Sequence, residues 1–205
     1  MTLSPSSRFE FRCWPDATSR APPLQTPLGL AVPVRRTDLY CVLPGRADTL
    51  CKLRGGERLQ IKTLLSRSNR LECWQMALDA GFPLDDRAGD LASLLLGIAP
   101  ETIATDSALA FTKRLNNASS LHIVPVHKAR RQSTVGGIKL EATLARAASV
   151  NQWTIALEGS DADSVRARVH NLGLWSLPNR SYAMWLADLA GRCRLREGLP
   201  AQARR

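Results

Sequence analysis

Five short segments of this chain alternate charged and apolar residues with a period of two, and no other feature constrains the fold as much. Residues 8–14 read Arg-Phe-Glu-Phe-Arg-Cys-Trp. Side chains alternate across a strand, so Phe9, Phe11 and Cys13 share one face while Arg8, Glu10 and Arg12 share the other. The same reading sets Cys51 and Leu53 against Lys52 and Arg54, and Leu59 and Ile61 against Gln60 and Lys62. It sets Ile138, Leu140 and Ala142 against Lys139, Glu141 and Thr143, and Trp153, Ile155 and Leu157 against Thr154, Ala156 and Glu158. The charged face thus collects six basic residues (Arg8, Arg12, Lys52, Arg54, Lys62, Lys139) and three acidic ones (Glu10, Glu141, Glu158).

Turn chemistry joins these segments. Gly55-Gly56 connects strands over 50–54 and 58–64, and Gly136-Gly137 connects strands over 122–131 and 138–144. Paired glycines supply the positive φ that a tight hairpin requires. A short strand is expected at 39–43. The prolines at 15, 22, 23, 27 and 33 predict a long surface loop over 15–33. Asn69 and Glu72 have capping-box spacing ahead of a predicted helix over 73–80, closed by Gly81 and Pro83. Asp86 is expected to cap a second helix to Leu96, and Asp106 a third to Leu115. Residues 160–172 form a capped amphipathic helix with Val165, Val169 and Leu172 on one face and Gly173 as its stop. Ser181 caps a last helix whose stripe is Tyr182, Trp185, Leu189 and Cys193. The order strands, helices, strands, helices is that of an α+β domain.

The chain of 205 residues has 28 Lys and Arg against 18 Asp and Glu, a formal charge of +10. An excess of this size favours acidic partners such as phosphate compounds, nucleic acid or an anionic membrane. Residues 194–205 carry a basic tail, expected to be disordered. The five cysteines show no C-x-x-C spacing and are odd in number, which argues against a zinc site or a disulfide framework. No apolar signal segment follows the first charge, and the longest apolar stretch, 91–99, is too short to cross a bilayer. The expected setting is a reducing cytoplasm. Neither a P-loop, a dinucleotide fingerprint nor a Ser-His-Asp arrangement is present.

An antiparallel sheet often wets one charged face. If the sheet instead curls into a barrel with the charges inside, the converged Lys and Arg repel one another until an anion neutralises them. A multi-phosphate ligand suits such a site, because Arg grips phosphate oxygens bidentately and Lys acts as a point charge. Whether Lys128 and Arg130, or His127, Ala129 and Arg131, face inward is open, since Pro125 can shift the register.

On these residues the chain resembles the CYTH family, the triphosphate tunnel metalloenzymes, over about 8–190. The motifs are Arg8-Phe9-Glu10-Phe11-Arg12, Lys52-Leu53-Arg54-Gly55-Gly56 through Lys62, His127-Lys128-Ala129-Arg130-Arg131 through Gly136-Gly137-Ile138, and Ile155-Ala156-Leu157-Glu158-Gly159 leading to Leu172-Gly173-Leu174 and Asn179-Arg180-Ser181-Tyr182. The resemblance implies an antiparallel β-barrel or tunnel of about seven to eight strands with flanking helices. It implies one domain over 1–193, with the Pro-rich loop 15–33 and a helical insert over 69–116. It assigns phosphate binding to Arg8, Arg12, Lys52, Arg54, Lys62, Lys128, Arg130, Arg131 and Lys139, and Mg or Mn ligation to Glu10, Glu141 and Glu158. Glu72 is either an extra acid of this set or the capping-box partner of Asn69.

The departures from the family pattern are selective. Its opening glutamate is Arg8 here, its lysine is Arg12, its aspartate after the second hairpin is best matched by Thr143, and its closing Glu-x-Glu is Ala156-x-Glu158. Divalent cations need clustered hard oxygens, so the basic grip persists while the acidic ligands are depleted. The expected function is binding of a triphosphate, nucleotide or polyphosphate in a basic tunnel with weak or no hydrolase activity. The alternatives are an active Mg- or Mn-dependent tripolyphosphatase or nucleoside triphosphatase, and an adaptor that binds nucleic acid or protein through its outer basic surface.

Overall fold

The computed structural model describes residues 7–15, 32–43, 45–117 and 121–197. Most of the expected Pro-rich loop, the side chain of Cys193 and residues 198–205 of the expected tail lie outside the described residues.

Eight strands close into one antiparallel barrel. They are β1 (Ser7–Cys13), β2 (Val34–Val42), β3 (Thr49–Arg54), β4 (Arg58–Ser68), β5 (Leu71–Gly81), β6 (His122–Val135), β7 (Ile138–Ala147) and β8 (Val150–Gly159). Their order around the barrel is β1-β5-β4-β3-β2-β6-β7-β8, with β8 pairing back onto β1 through Glu10 and Glu158. The helices α1 (Asp86–Leu96) and α2 (Ala108–Asn117) lie between β5 and β6 in the chain, and α3 (Ala162–Asn171) and α4 (Tyr182–Glu197) follow β8.

The apolar strand faces point outward and the helices cover them. Leu53, Leu59 and Ile61 pack with Leu96, Phe111 and Leu115 of α1 and α2. Phe11, Ile155 and Leu157 pack with Val165 and Val169 of α3. The third cluster is different: Tyr40, Val126 and Ala145 lie on inward faces and pack with Trp185 and Leu186, so α4 plugs one end of the barrel. Burying each large side chain contributes roughly 1.5–3 kcal/mol, so the first two clusters hold α1, α2 and α3 on the barrel wall and the third seats α4 in its end. The charged faces have nowhere to go but the interior.

Residues 69–81 correct the sequence reading. The expected capping-box helix is β5, and the helical region starts only at Asp86. Asn69 (φ 47°) and Arg70 (φ 62°) adopt the left-handed conformation that glycine pairs supply at Gly55-Gly56 and Gly136-Gly137. Asparagine tolerates that conformation better than most residues. The Asn-Arg turn therefore hides a hairpin, and pairing with β1 and β4 on both sides overrides the helix propensity of Gln75, Met76, Ala77 and Leu78. Glu72 is not a cap, and Trp74 lies on a strand rather than a helix.

Other boundaries shift less. Asp85, not Asp86, caps α1 by accepting from Ala88 N at 2.7 Å. Ser107, not Asp106, accepts from Ala110 N in the first turn of α2. Asp161 caps α3 by accepting from Ser164 N. Ser181 accepts from Met184 N at the start of α4, as its position predicts. The α4 helix runs to Glu197, so residues 194–197 are helix rather than tail. Among the described residues no helix is long and apolar enough to cross a membrane.

The segment leading into α4 is fastened across one end of the barrel. Asn179 Oδ1 accepts from Arg12 N at 2.8 Å, its Nδ2 donates to Arg70 O at 2.9 Å, and Arg180 N donates to Arg12 O at 2.7 Å. Trp14 Nε1 donates to Arg180 O, and its ring stacks on Trp185 at 4.3 Å. Tyr182 stacks in turn on Tyr40 at 5.5 Å. This aromatic pile closes the α4 end, while the glycine hairpins lie at the opposite end.

Candidate functional site

The barrel encloses a cavity of about 400 Å³, within the range of small-molecule sites. Nine cationic side chains line it: Arg8, Arg12, Arg36, Lys52, Arg54, Lys62, Lys128, Arg130 and Lys139. Three carboxylates, Glu10, Glu141 and Glu158, share the lining, leaving a surplus of six positive charges. Strand alternation brings eight of the nine expected phosphate-binding residues to this one void. The exception is Arg131, which is exposed on the outer face beside inward-facing Arg130. His127 and Ala129 also face outward, so the open question of inward side chains on β6 resolves to Lys128, Arg130 and Gln132.

The carboxylates are engaged by cations. Arg12 Nε donates to Glu10 Oε1 at 2.8 Å, and its NH1 stands 3.5 Å from Glu141 Oε1. Glu141 also accepts from Gln132 Nε2 at 2.8 Å and Thr143 Oγ1 at 3.1 Å, and lies 3.5 Å from Arg130. Glu158 stands 3.9 Å from Lys62 Nζ. Burial, the largest single influence, pushes the Glu10 and Glu141 carboxyls up, but Arg12 and the other nearby cations together outweigh it. Lys62 helps hold Glu10 below its ordinary value, and Arg130 helps bring Glu141 down to about 2. All the metal ligands implied by the resemblance are therefore inside, but a guanidinium bridges two of them. Among the described residues no group of three His, Cys, Asp or Glu side chains is placed to hold a metal ion. The residues present do not fit a Mg or Mn cage.

The structure adds residues that the sequence reading passed over. Asp38, fully buried, accepts from Lys128 Nζ at 2.8 Å and pairs with Arg36 at 2.8 Å. Burial works to raise its carboxyl, yet Lys128, Lys52 and Arg36 bring it down to about 2. Lys128 Nζ also donates to Tyr40 Oη at 2.6 Å. Lys52 feels the same Asp38 carboxylate, but burial first, then Lys128, outweigh it and pull its ammonium down to about 7. Glu72 stands in register beside Glu10, but its carboxylate accepts from Arg67 Nε and Trp74 Nε1, both at 3.0 Å. Arg36, Asp38 and Tyr40 carry no alternation signal, since Arg35 and Thr37 share the opposite face with Leu39 and Cys41. The Pro-rich region before β2 obscured where that strand begins.

Neither a known family profile nor a curated protein matches the chain by sequence. Solved structures do match it. A candidate adenylyl cyclase from Hippeastrum, described as having a dominant triphosphatase activity, superposes with a TM-score of 0.54 at 13% identity over 90% of this chain and 96% of that one. A conserved hypothetical protein from Pyrococcus furiosus superposes with a TM-score of 0.51 at 15% identity over 86% and 98%. Likeness at this identity speaks for the fold, and it agrees with the motifs quoted above. The chain has the CYTH-type fold, a closed eight-strand antiparallel barrel with flanking helices.

Proposed function

We propose that the chain binds a polyanionic phosphate compound, such as a triphosphate, nucleotide or polyphosphate, inside the barrel with little or no turnover. One observation carries this reading: nine cations and three carboxylates converge on a single cavity, and Arg12 lies between two of the carboxylates. Clustered cations in a partly desolvated void repel by a few kcal/mol per close pair, on the order of 3 kcal/mol at 6 Å and an effective dielectric of 20. A phosphate chain relieves that repulsion, and each Arg it meets can grip it bidentately. Residues Arg8, Arg12, Lys52, Arg54, Lys62, Lys128, Arg130 and Lys139 form the grip, with Arg36 added and Arg131 left out. The paired carboxylates hold the cations in position rather than a metal.

A second reading, a metal-dependent triphosphatase, draws on the activity described for the Hippeastrum protein of the same fold. Isothermal titration with tripolyphosphate and ATP, in EDTA and in Mg²⁺ or Mn²⁺, together with a phosphate-release assay, separates the two. The expected result is binding in EDTA with no phosphate released. Absence of binding at low salt overturns the proposal, and metal-dependent phosphate release replaces it with the second reading.

A further inference from the structure

The closed end of the cavity holds a buried hydroxyl without a hydrogen-bond partner among the described residues. Tyr182, the first residue of α4, is 5% exposed and lines the cavity. Its ring packs against Tyr40 on one side, at 5.5 Å. The Arg12 guanidinium lies 4.6 Å and the Lys128 ammonium 4.5 Å from its centroid. Its hydroxyl is buried and makes no hydrogen bond to any described residue. A buried hydroxyl without a partner costs about 1–3 kcal/mol, and such groups in native structures call for a specific reason. Tyr40, stacked on the same ring, shows the contrast, because its hydroxyl accepts from Lys128.

A second feature meets the hydroxyl at the same place. The α4 helix runs from Tyr182 to Glu197, and both its capping residue Ser181 and its first residue Tyr182 line the cavity. The N-terminal turn of this helix thus borders the void; Ser181 takes the N–H groups of Met184 and Trp185, and the helix dipole favours an anion at this end. Arg12 and Lys128 stand at the same end, paired with Glu10, Glu141 and Asp38, and Glu141 is close enough to act on the Tyr182 hydroxyl as well.

We propose that the start of α4 forms the innermost anion seat of the cavity, in which the Tyr182 hydroxyl donates to an oxygen of the terminal phosphate between Arg12 and Lys128. The inference rests on the binding function proposed above and deepens it. The aromatic pile behind Tyr182 closes that end, so the ligand enters from the hairpin end with a chain terminus first. The ligand class is accordingly a linear polyphosphate or a terminally phosphorylated compound, not one whose phosphates are all internal diesters.

Tyr182→Phe keeps the ring, its stacking and both cation contacts and removes only the hydroxyl. Titration of tripolyphosphate into wild type and Tyr182→Phe at low salt, with thermal melts of both free proteins, is the test. Loss of one hydrogen bond to a charged group is expected to weaken binding by about tenfold or more. Because the variant also removes an unsatisfied buried hydroxyl, the free protein is expected to melt no lower than wild type. Equal affinity in the two proteins, within about twofold, overturns the seat while leaving cavity binding intact. No binding to wild type sinks the binding function and the seat together. A readout on the wild-type protein guards against a variant that folds poorly. The chain has two tyrosines, Tyr40 and Tyr182, so fluorotyrosine labelling gives two fluorine resonances. Saturating tripolyphosphate is expected to shift both, since Lys128 bonds one and packs on the other, with the larger shift at Tyr182. An unmoved Tyr182 resonance overturns the proposal.

Discussion

Raising the pH through 7 discharges Lys52 in the free protein, because burial and the neighbouring Lys128 bring its ammonium from the ordinary 10.5 down to about 7. A phosphate chain in the cavity adds the negative charge that Asp38 alone does not supply and returns Lys52 to the charged form. Above pH 7 binding therefore takes up a proton, and each further pH unit costs about 1.4 kcal/mol, or tenfold in affinity. If the ligand restores the ordinary value, tripolyphosphate affinity falls roughly 100-fold between about pH 7.5 and 9.5. The ligand's own titration works the other way, since a polyphosphate gains negative charge as pH rises, so the direction identifies the protein group. Titration calorimetry at low salt, repeated in buffers of different protonation enthalpy, reads the affinity and the proton uptake together. Wild type is expected to take up nearly one proton above about pH 8. Lys52→Arg, charged throughout, is expected to show neither uptake nor slope. A flat wild-type profile, or a slope that survives Lys52→Arg, refutes the reasoning.

Three further perturbations probe the same arrangement. Asp38 and Glu141 each titrate at about 2 in the folded protein, against ordinary values of 3.8 and 4.5. Their folded values are depressed, so the stability they contribute, roughly 2–3 kcal/mol each, is present above about pH 4.5 and lost as pH falls toward 2. Urea unfolding across that window checks it, and Asp38→Asn is expected to flatten the profile. Arg130 and Arg131 are adjacent but face opposite sides of the wall. Arg130→Ala is expected to weaken tripolyphosphate binding about tenfold or more and Arg131→Ala less than about twofold. Glu10→Gln removes a carboxylate from the buried Arg12, destabilising the free protein by about 3 kcal/mol. It frees the guanidinium for phosphate, so calorimetry should show tripolyphosphate bound about tenfold more tightly. A metal-ligand role for Glu10 predicts loss of metal-dependent phosphate release instead.

Much of this site was legible because strand alternation is a local property. Arg8, Glu10 and Arg12 had to share a face whatever the fold, and so did Lys139, Glu141 and Thr143. What alternation leaves undetermined is whether that face is inside or outside. That depends on closure of β8 onto β1 and on helices covering the apolar side, which is tertiary information. Residues 69–81 were misread because Asn69 and Arg70 make a glycine-free turn and β5 contains good helix formers. With that strand went Trp74, Met76 and the placement of Glu72. Asp38 and Tyr40 were missed because their strand follows the Pro-rich region, and Arg131 was included because Pro125 left the β6 register undecided. Tyr182 was legible only as one residue of an apolar helical stripe. Its place at the cavity floor depends on how Asn179 and Arg180 tie the start of α4 to β1.

The most direct test of the central claim is a crystal structure of the protein grown with tripolyphosphate in EDTA. The account predicts density for a phosphate chain within the barrel, touching Arg12, Lys128 and Arg130 and ending beside Tyr182. Phosphate found only on the outer surface, or bound inside only when Mn²⁺ bridges it to Glu10, Glu141 and Glu158, contradicts it.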